Sequence, residues 1–194
     1  GFRLDDSLGG YMAEGRTVKP LVIGRATVAT FTDGRITVGQ WGRDIGPTPD
    51  LASARQNLDL IVDNGAPVPG LSREDHRRWG ATLGGDVFVW RSGVGVDARG
   101  NLIYAAGQVD ILSLANVLAR AGAVRAMELD INPEWVSFYT YTGTTPTDIR
   151  GHRLLGSSNR PDDRYLKTGT RDFLAIFGRT DLHPAPRPTS TTAR

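Results

Sequence analysis

The chain of 194 residues contains no cysteine, and this absence excludes disulfide bonds, thiol catalysis and cysteine-ligated zinc. No run approaches the ~20 consecutive apolar residues that a membrane-spanning helix needs. No signal peptide is recognisable either, and the sequence opens on Gly1 rather than on methionine. The sequence therefore excludes no cellular location.

Lysine is scarce as well, because only Lys19 and Lys167 are present and arginine supplies nearly all of the positive charge. Arginine binds carboxylate and phosphate through paired hydrogen bonds, so this bias is compatible with an anionic substrate. The net charge is only +2, which does not favour nucleic acid as a partner. A pI near 9.2 keeps a nucleic-acid binder as a third hypothesis, disfavoured because aromatic and basic residues are not interleaved.

Turn-forming residues are abundant, with 24 glycines and 11 prolines, and this composition indicates a β-rich fold. Two alternating runs flank Asp33-Gly34 and predict a hairpin, and a strand over 58–62 is followed by a turn at Asn64-Gly65. Residues 86–107 predict a strand, an interruption at the glycines, a second strand, a turn at 97–100 and a third strand. Three further strands are predicted over 123–130, 135–142 and 171–177.

One strong helix is predicted over 111–121, with Asp110 or Ser113 as its N-cap and Gly122 at its end. Its apolar residues recur at helical spacing: Leu114, Val117, Leu118 and Ala121. The fold class is therefore α+β, with a mixed, largely antiparallel sheet, one main helix and few short helices. The strand–helix–strand unit over 101–130 allows a parallel or crossover pairing. Residues 181–194 are expected to form a disordered Pro/Thr-rich tail after a domain over 1–180.

The stretch RAMELDINPEW, residues 125–135, carries the main candidate site. Alternate residues of a strand share a face, so Glu128 and Asp130 are expected on one side, ~6–7 Å apart, just before Pro133 ends the strand. Two neighbouring carboxylates split their pKa values, as acid/base catalysis requires. The competing interpretation is a solvated face with an Asx turn at Asp130 or Asn132.

Arg91 follows an apolar run and precedes Gly93 and Gly95. A buried arginine needs an anionic partner, which is either a structural acid such as Glu128 or a substrate phosphate. The glycines would let the backbone approach a ligand. Glu14 and Arg16 flank Gly15 in a predicted loop, where the competing interpretation is an exposed charge pair.

No dinucleotide fingerprint, P-loop or nucleophile elbow is present, so no cofactor is expected. The three histidines, His76, His152 and His183, are isolated in the sequence and show no metal-ligand spacing, so no metal is expected.

Several stretches together resemble the phosphodiester glycosidase family, and more closely an actinobacterial branch of it. They are GFRLDDSLGGYMAEGRTVKPL, ITVGQWGRD, RQNLDLIVDNGAPVPG, RSGVGVDARGNLIYAAG and AGAVRAMELDINPEW. The family's arginine and aspartate correspond to Arg91 and Asp130. Its Gly-Gly-Gly-Ser run after the aspartate is replaced by residues 131–133, and its N-terminal Asn-Gly-Gly-Phe motif is incomplete at Gly1, so a domain truncated at its N-terminus is expected.

The resemblance implies hydrolysis of a glycosyl phosphodiester or a related cell-surface glycan linkage, and an extracellular or cell-surface location. Asp130 and Glu128 are then the catalytic acids. Arg91, Arg16, Glu14 and Asn132 would bind substrate, with phosphate on the arginines and a sugar hydroxyl on Asn132. The alternative function is a non-catalytic glycan-binding or structural cell-surface module. The sugar, the aglycone, any metal requirement and the oligomeric state stay open.

Overall fold

In a computed structural model of the chain, the residues described are 7–71, 75–132, 134–145, 147–156, 160–168 and 173–178. Within them the chain forms twelve strands. These are β1 (Tyr11–Ala13), β2 (Arg16–Lys19), β3 (Ala26–Phe31), β4 (Ile36–Gln40), β5 (Leu51–Gln56), β6 (Leu60–Asp63), β7 (Ala66–Pro67), β8 (Val89–Val96), β9 (Leu102–Val109), β10 (Arg125–Glu128), β11 (Tyr139–Thr142) and β12 (Arg150–Arg153). Helix α1 (His76–Trp79) is a single turn and α2 (Ile111–Arg120) is the main helix; 3-10 turns lie at Leu83–Gly85 and Arg164–Leu166.

The strands form two five-stranded sheets, in the orders β2-β1-β5-β3-β4 and β7-β6-β10-β8-β9, and a small β11–β12 hairpin. Every pairing between the described strands is antiparallel. The fold is thus α+β and mostly β, as expected, but the prediction of a mixed sheet is wrong for these residues. Strands β9 and β10 do run parallel to each other, but β8 lies between them, so the connection through α2 is a crossover.

The turn predictions at Asp33-Gly34 and Asn64-Gly65 are confirmed. The first joins β3 to β4, and the second joins β6 to β7 with φ of 50° and 77° at its two residues. Positive φ at both central residues matches the right-handed twist of the flanking strands. The predicted interruption at Gly93 and Gly95 is wrong, because β8 runs through both. Residues 173–178 form no strand, contrary to the prediction there.

Helix α2 begins and ends as the sequence indicates. Asp110 Oδ1 accepts a hydrogen bond from the Ser113 amide at 2.6 Å, and Gly122 ends the helix with φ of 100°. The predicted apolar face is only half correct, because Val117 is 51% exposed and Ala121 is also exposed. The buried face consists of Ile111, Leu114, Ala115 and Leu118.

The layers stack in the order first sheet, second sheet, helix. One core cluster lies between the sheets and includes Val28 and Val38 from the first and Val94 and Met127 from the second. Another cluster packs α2 against the opposite face of the second sheet. A third covers the outer face of the first sheet. In the described residues, no helix is long and apolar enough to cross a membrane.

The chain passes from the first sheet to the second at Gln56 and Asn57. Gln56 is fully buried and all of its side-chain polar atoms are hydrogen-bonded. Its Oε1 accepts from the backbone amides of Gly10 and Val22, and its Nε2 donates to the Val22 carbonyl and to Thr27 Oγ1. Asn57 Nδ2 donates to the carbonyls of Glu128 and Leu129 at 2.9 and 3.1 Å. The crossing therefore holds the end of β10, where the candidate site lies.

Candidate functional site

Arg91 and Glu128 meet on neighbouring strands of the second sheet. Glu128 pairs with Gly93 in the β8–β10 register, and Arg91 lies two residues along the same face of β8. Arg91 Nη1 donates to Glu128 Oε1 at 2.6 Å, and Nε donates to the Val109 carbonyl at 3.2 Å. Their side chains are 6% and 0% exposed. Of the two partners that the sequence left open for Arg91, the structure places the structural acid against it.

The glycines beside Arg91 serve helix packing. A Cβ on Gly93 would lie 2.9 Å from Leu118 Cδ1 and 3.0 Å from the Met127 carbonyl oxygen. A Cβ on Gly95 would lie 2.9 Å from the Cβ of Ala123. The glycines were predicted to let a ligand approach the backbone. In the structure they instead leave room for α2 and for the turn that follows it.

The carboxyl group of Glu128 is a weak acid in this setting. Burial raises its pKa to about 7, the attraction of Arg91 opposes this shift, and repulsion from Asp130 adds to it. Oε2 is buried and has no hydrogen-bond partner among the described residues. A carboxyl with one bonded and one unbonded oxygen can hold a proton near neutral pH.

The regular strand ends at Glu128, before Asp130. The Leu129 amide donates to the Ser92 carbonyl at 2.8 Å, and the Ser92 amide donates to the Asp130 carbonyl at 2.8 Å. Two residues thus oppose one, which is the pattern of a β-bulge. The strict alternation that was predicted to carry Glu128 and Asp130 onto one face is interrupted here.

Around Asp130 the structure brings together Ser92 and Tyr104. The Asp130 amide donates to Ser92 Oγ at 3.2 Å. Burial raises the pKa of the Tyr104 hydroxyl to about 12, a hydrogen bond with Ser92 lowers it, and the charge of Asp130 is among the effects that raise it. The half-buried Asp130 is therefore within electrostatic range of both Tyr104 and Glu128. Ser92 and Tyr104 carry no local signal in the sequence, since both sit in ordinary strand patterns.

Asn132 opens the turn after Asp130. Its Oδ1 accepts from the Glu134 amide at 2.9 Å, and its carbonyl accepts from the amides of Trp135 and Val136. This is the Asx turn that the competing interpretation predicted. Pro133 lies outside the described residues.

Glu14 and Arg16 lie elsewhere, at the exposed tip of the β1–β2 hairpin. The Glu14 amide donates to the Ala52 carbonyl, at the opposite end of β5 from Asn57. Five residues of extended chain span roughly 16 Å, so the structure does not bring this pair to the Glu128 cluster.

A second group, which we call the arginine–tryptophan cluster, consists of Trp135, Arg160, Arg164 and Tyr165. Both guanidinium groups lie 5.0 Å from the centre of the Trp135 ring, and Arg164 also lies 5.5 Å from the Tyr165 ring. The Tyr165 hydroxyl is 2.9 Å from Ser137 Oγ, and Tyr104 Oη donates to the Ser137 carbonyl at 3.4 Å. Ser137 and Tyr104 thus connect the cluster to Asp130. No local sequence pattern indicates this cluster, because its members come from two separated segments of the chain.

Metal binding has no support in the described part of the chain, where no group of three His, Cys, Asp or Glu side chains could hold a metal ion. His152 is exposed on β12. His183 lies outside the described residues.

Comparison with known proteins gives distant likenesses. No family model and no curated protein matches the chain. Among solved structures, the chain is similar to the catalytic domain of zebrafish N-acetylglucosamine-1-phosphodiester alpha-N-acetylglucosaminidase, auto-inhibited by its pro-peptide, with 17% identity and a TM-score of 0.48 over 65% of this chain and 46% of that one. It is also similar to a hypothetical protein from Synechocystis, with 15% identity and a TM-score of 0.32 over 58% of this chain and 29% of that one. The chain spans less than half the length of either.

Proposed function

We propose that this chain hydrolyses a glycosyl phosphodiester or a related glycan linkage, with Asp130 as the carboxylate that meets the substrate. One observation carries the proposal: Asp130 lies half-buried at a β-bulge beside a second acid, Glu128, whose pKa is raised to about 7. Bulges are frequent next to active sites because they re-aim a side chain. The resemblance of the surrounding sequence to phosphodiester glycosidases supports the same reaction class.

The two acids have different environments and can take different roles. Asp130 would accept a proton from the attacking water while the bond between the anomeric carbon and the phosphate oxygen breaks. The products are the free sugar and a phosphate monoester, and the monoester leaves as an anion that a nearby cation would stabilise. Glu128 would be the acid that keeps its proton near neutral pH, because its pKa is raised to about 7. Arg91 would keep Glu128 in place, in contrast to its predicted role in phosphate binding, since its guanidinium is already bonded to that carboxyl.

Substitution of Asp130 tests the proposal directly. We expect D130N to lower the turnover of a synthetic glycosyl phosphodiester, followed by phosphorus NMR, by at least ~100-fold. The matched control is D86N, since Asp86 is exposed and lies outside the site. Equal turnover in D130N and D86N would remove Asp130 from the mechanism.

A catalytic role of Glu128 has to be tested by a measurement other than stability, namely the dependence of activity on pH. If its protonated form is needed, the activity of the wild type falls as pH rises through about 7. The E128Q variant cannot lose a proton there, so its residual activity should not show that decline. An identical pH profile in both proteins would limit Glu128 to a structural role.

Aromatic side chains favour a second candidate, which is glycan binding without turnover. Tyr139 and Tyr141 stack with ring centres 6.4 Å apart, and Tyr141 is 38% exposed. Exposed aromatic rings can pack against the apolar faces of sugars. Saturable binding of an oligosaccharide with no detectable hydrolysis would favour this candidate over the first.

A further inference from the structure

The arginine–tryptophan cluster contains an arginine that no described acid neutralises. Glu134 pairs with Arg160 at 2.6 Å, Asp162 with Arg153 at 2.7 Å and Asp163 with Lys167 at 2.6 Å. These pairs occupy the acids of this region, and Arg164 forms no ion pair with any acid in the described residues. Arg164 is nevertheless half-buried. A partly desolvated guanidinium without a carboxylate favours an external anion.

The setting of Arg164 also restricts its orientation. Its guanidinium lies near two rings, Trp135 and Tyr165, at 5.0 and 5.5 Å from their centres. Its backbone amide bonds the Pro161 carbonyl at 3.1 Å, where the 3-10 turn Arg164–Leu166 begins. A guanidinium held by aromatic rings loses less entropy when it binds an anion, and its planar fork fits the oxygens of a phosphate. Arg160 lies against the same indole ring, with its charge balanced by Glu134.

The cluster lies beside the proposed site. Tyr165 contacts Ser137, Ser137 contacts Tyr104, and Tyr104 is within electrostatic range of Asp130. Trp135 itself follows Asp130 through the Asn132 turn. Arg164 and Asp130 are therefore linked through three intervening side chains, and a substrate that contacts both would extend along Tyr104, Ser137 and Tyr165.

We propose that Arg164, held by Trp135 and Tyr165, binds the phosphate group of the substrate, so that the ligand is a phosphate ester with its sugar toward Asp130. The choice of a phosphodiester as the natural ligand rests on the proposed function, whereas the oxyanion subsite itself does not. The prediction of Arg91 and Arg16 as the phosphate ligands is replaced by this assignment, because one is bonded to Glu128 and the other lies on the distant hairpin.

Calorimetric titration of the full chain with inorganic phosphate and with glucose 1-phosphate, at constant ionic strength, tests the subsite. We expect saturable binding by the wild type and a loss of affinity of roughly tenfold or more in R164M. R120M is the matched control, because Arg120 is exposed on the last turn of α2 and its substitution changes the net charge equally. It should change the affinity less than about twofold.

Two results would overturn the subsite: no saturable binding by the wild type below about 10 mM ligand, or equal losses in R164M and R120M. If R164M does not give the far-UV circular dichroism spectrum of the wild type, R164K decides instead. Lysine keeps the charge but not the fork, so unchanged affinity in R164K would also contradict the proposal.

The subsite and the proposed reaction can fail separately. D130N should still bind phosphate with wild-type affinity, since Asp130 acts on the sugar side. Phosphate binding that depends on Arg164 in a protein that hydrolyses no phosphodiester would keep the subsite and reject the reaction. Hydrolysis with unchanged KM and phosphate affinity in R164M would keep the reaction and reject the subsite.

Discussion

Arg91 Nη1 and Glu128 Oε1 lie 2.6 Å apart in a fully buried contact between β8 and β10. Burial of two charged groups is costly, and the contact lowers that cost only while both partners are present. The contact therefore fixes the position of Glu128 beside the bulge and makes each partner dependent on the other.

Removal of the Glu128 carboxyl group alone should destabilise the fold severely. We expect E128A to lower the free energy of unfolding by about 3–5 kcal/mol, because it leaves the Arg91 guanidinium buried without its carboxylate. E128Q keeps an oxygen for Arg91 and should cost clearly less. The double variant R91M/E128M removes both polar groups and should recover part of the loss. Urea unfolding measures all three, and a cost below ~1 kcal/mol for E128A would show that the pair contributes little.

The stability of the fold should depend on pH through Glu128. Its pKa is about 7 in the folded chain and 4.5 for the free side chain, so between these values the folded state keeps a proton that the unfolded state has lost. The free energy of unfolding should therefore fall as pH rises from about 4.5 to about 7 and level off above.

The E128Q variant supplies the comparison for this pH dependence. Three aspartates with pKa values lowered by hydrogen bonds, Asp33, Asp97 and Asp148, act in the opposite direction, but at and below pH 3.8. The difference between wild type and E128Q across pH 5–7 thus reports Glu128, and parallel curves would contradict the assignment.

The glycines of the β8–β9 hairpin should respond differently to alanine. In G93A the new Cβ must displace Leu118 or the Met127 carbonyl, so we expect a loss of about 1–3 kcal/mol. In G107A the nearest atom is Val109 Cγ1 at 3.7 Å, an ordinary contact, and little change is expected. Thermal unfolding of the two variants compares them, and equal midpoints would argue against tight packing of α2 at Gly93.

Alanine substitutions at two adjacent residues of α2 should also differ clearly in their effect on stability. Leu118 is fully buried and Val117 is 51% exposed, so L118A should cost about 2–5 kcal/mol and V117A less than about 0.5 kcal/mol. Guanidinium unfolding gives both values. A large loss in V117A would indicate that this face of the helix is covered in solution.

The correct predictions concern features that a few neighbouring residues decide. Asn64-Gly65 forms a tight turn because both residues accept positive φ, and Asp110 caps α2 because its carboxylate reaches the Ser113 amide. A prediction that depends on what covers an element cannot be made in this way: Val117 belongs to the apolar stripe of α2 yet is exposed, because spacing alone does not show which edge of the stripe meets the sheet.

The candidate site divides in the same way. Local sequence is enough to predict an acidic strand end, Glu128 to Asp130, after a helix, and an anionic partner for a buried Arg91. Three-dimensional packing selects Glu128 as that partner, interrupts the alternation with a bulge opposite Ser92, and brings Arg164 onto Trp135. Each of these contacts joins residues far apart in the chain, so it depends on strand order and packing, which local patterns do not encode.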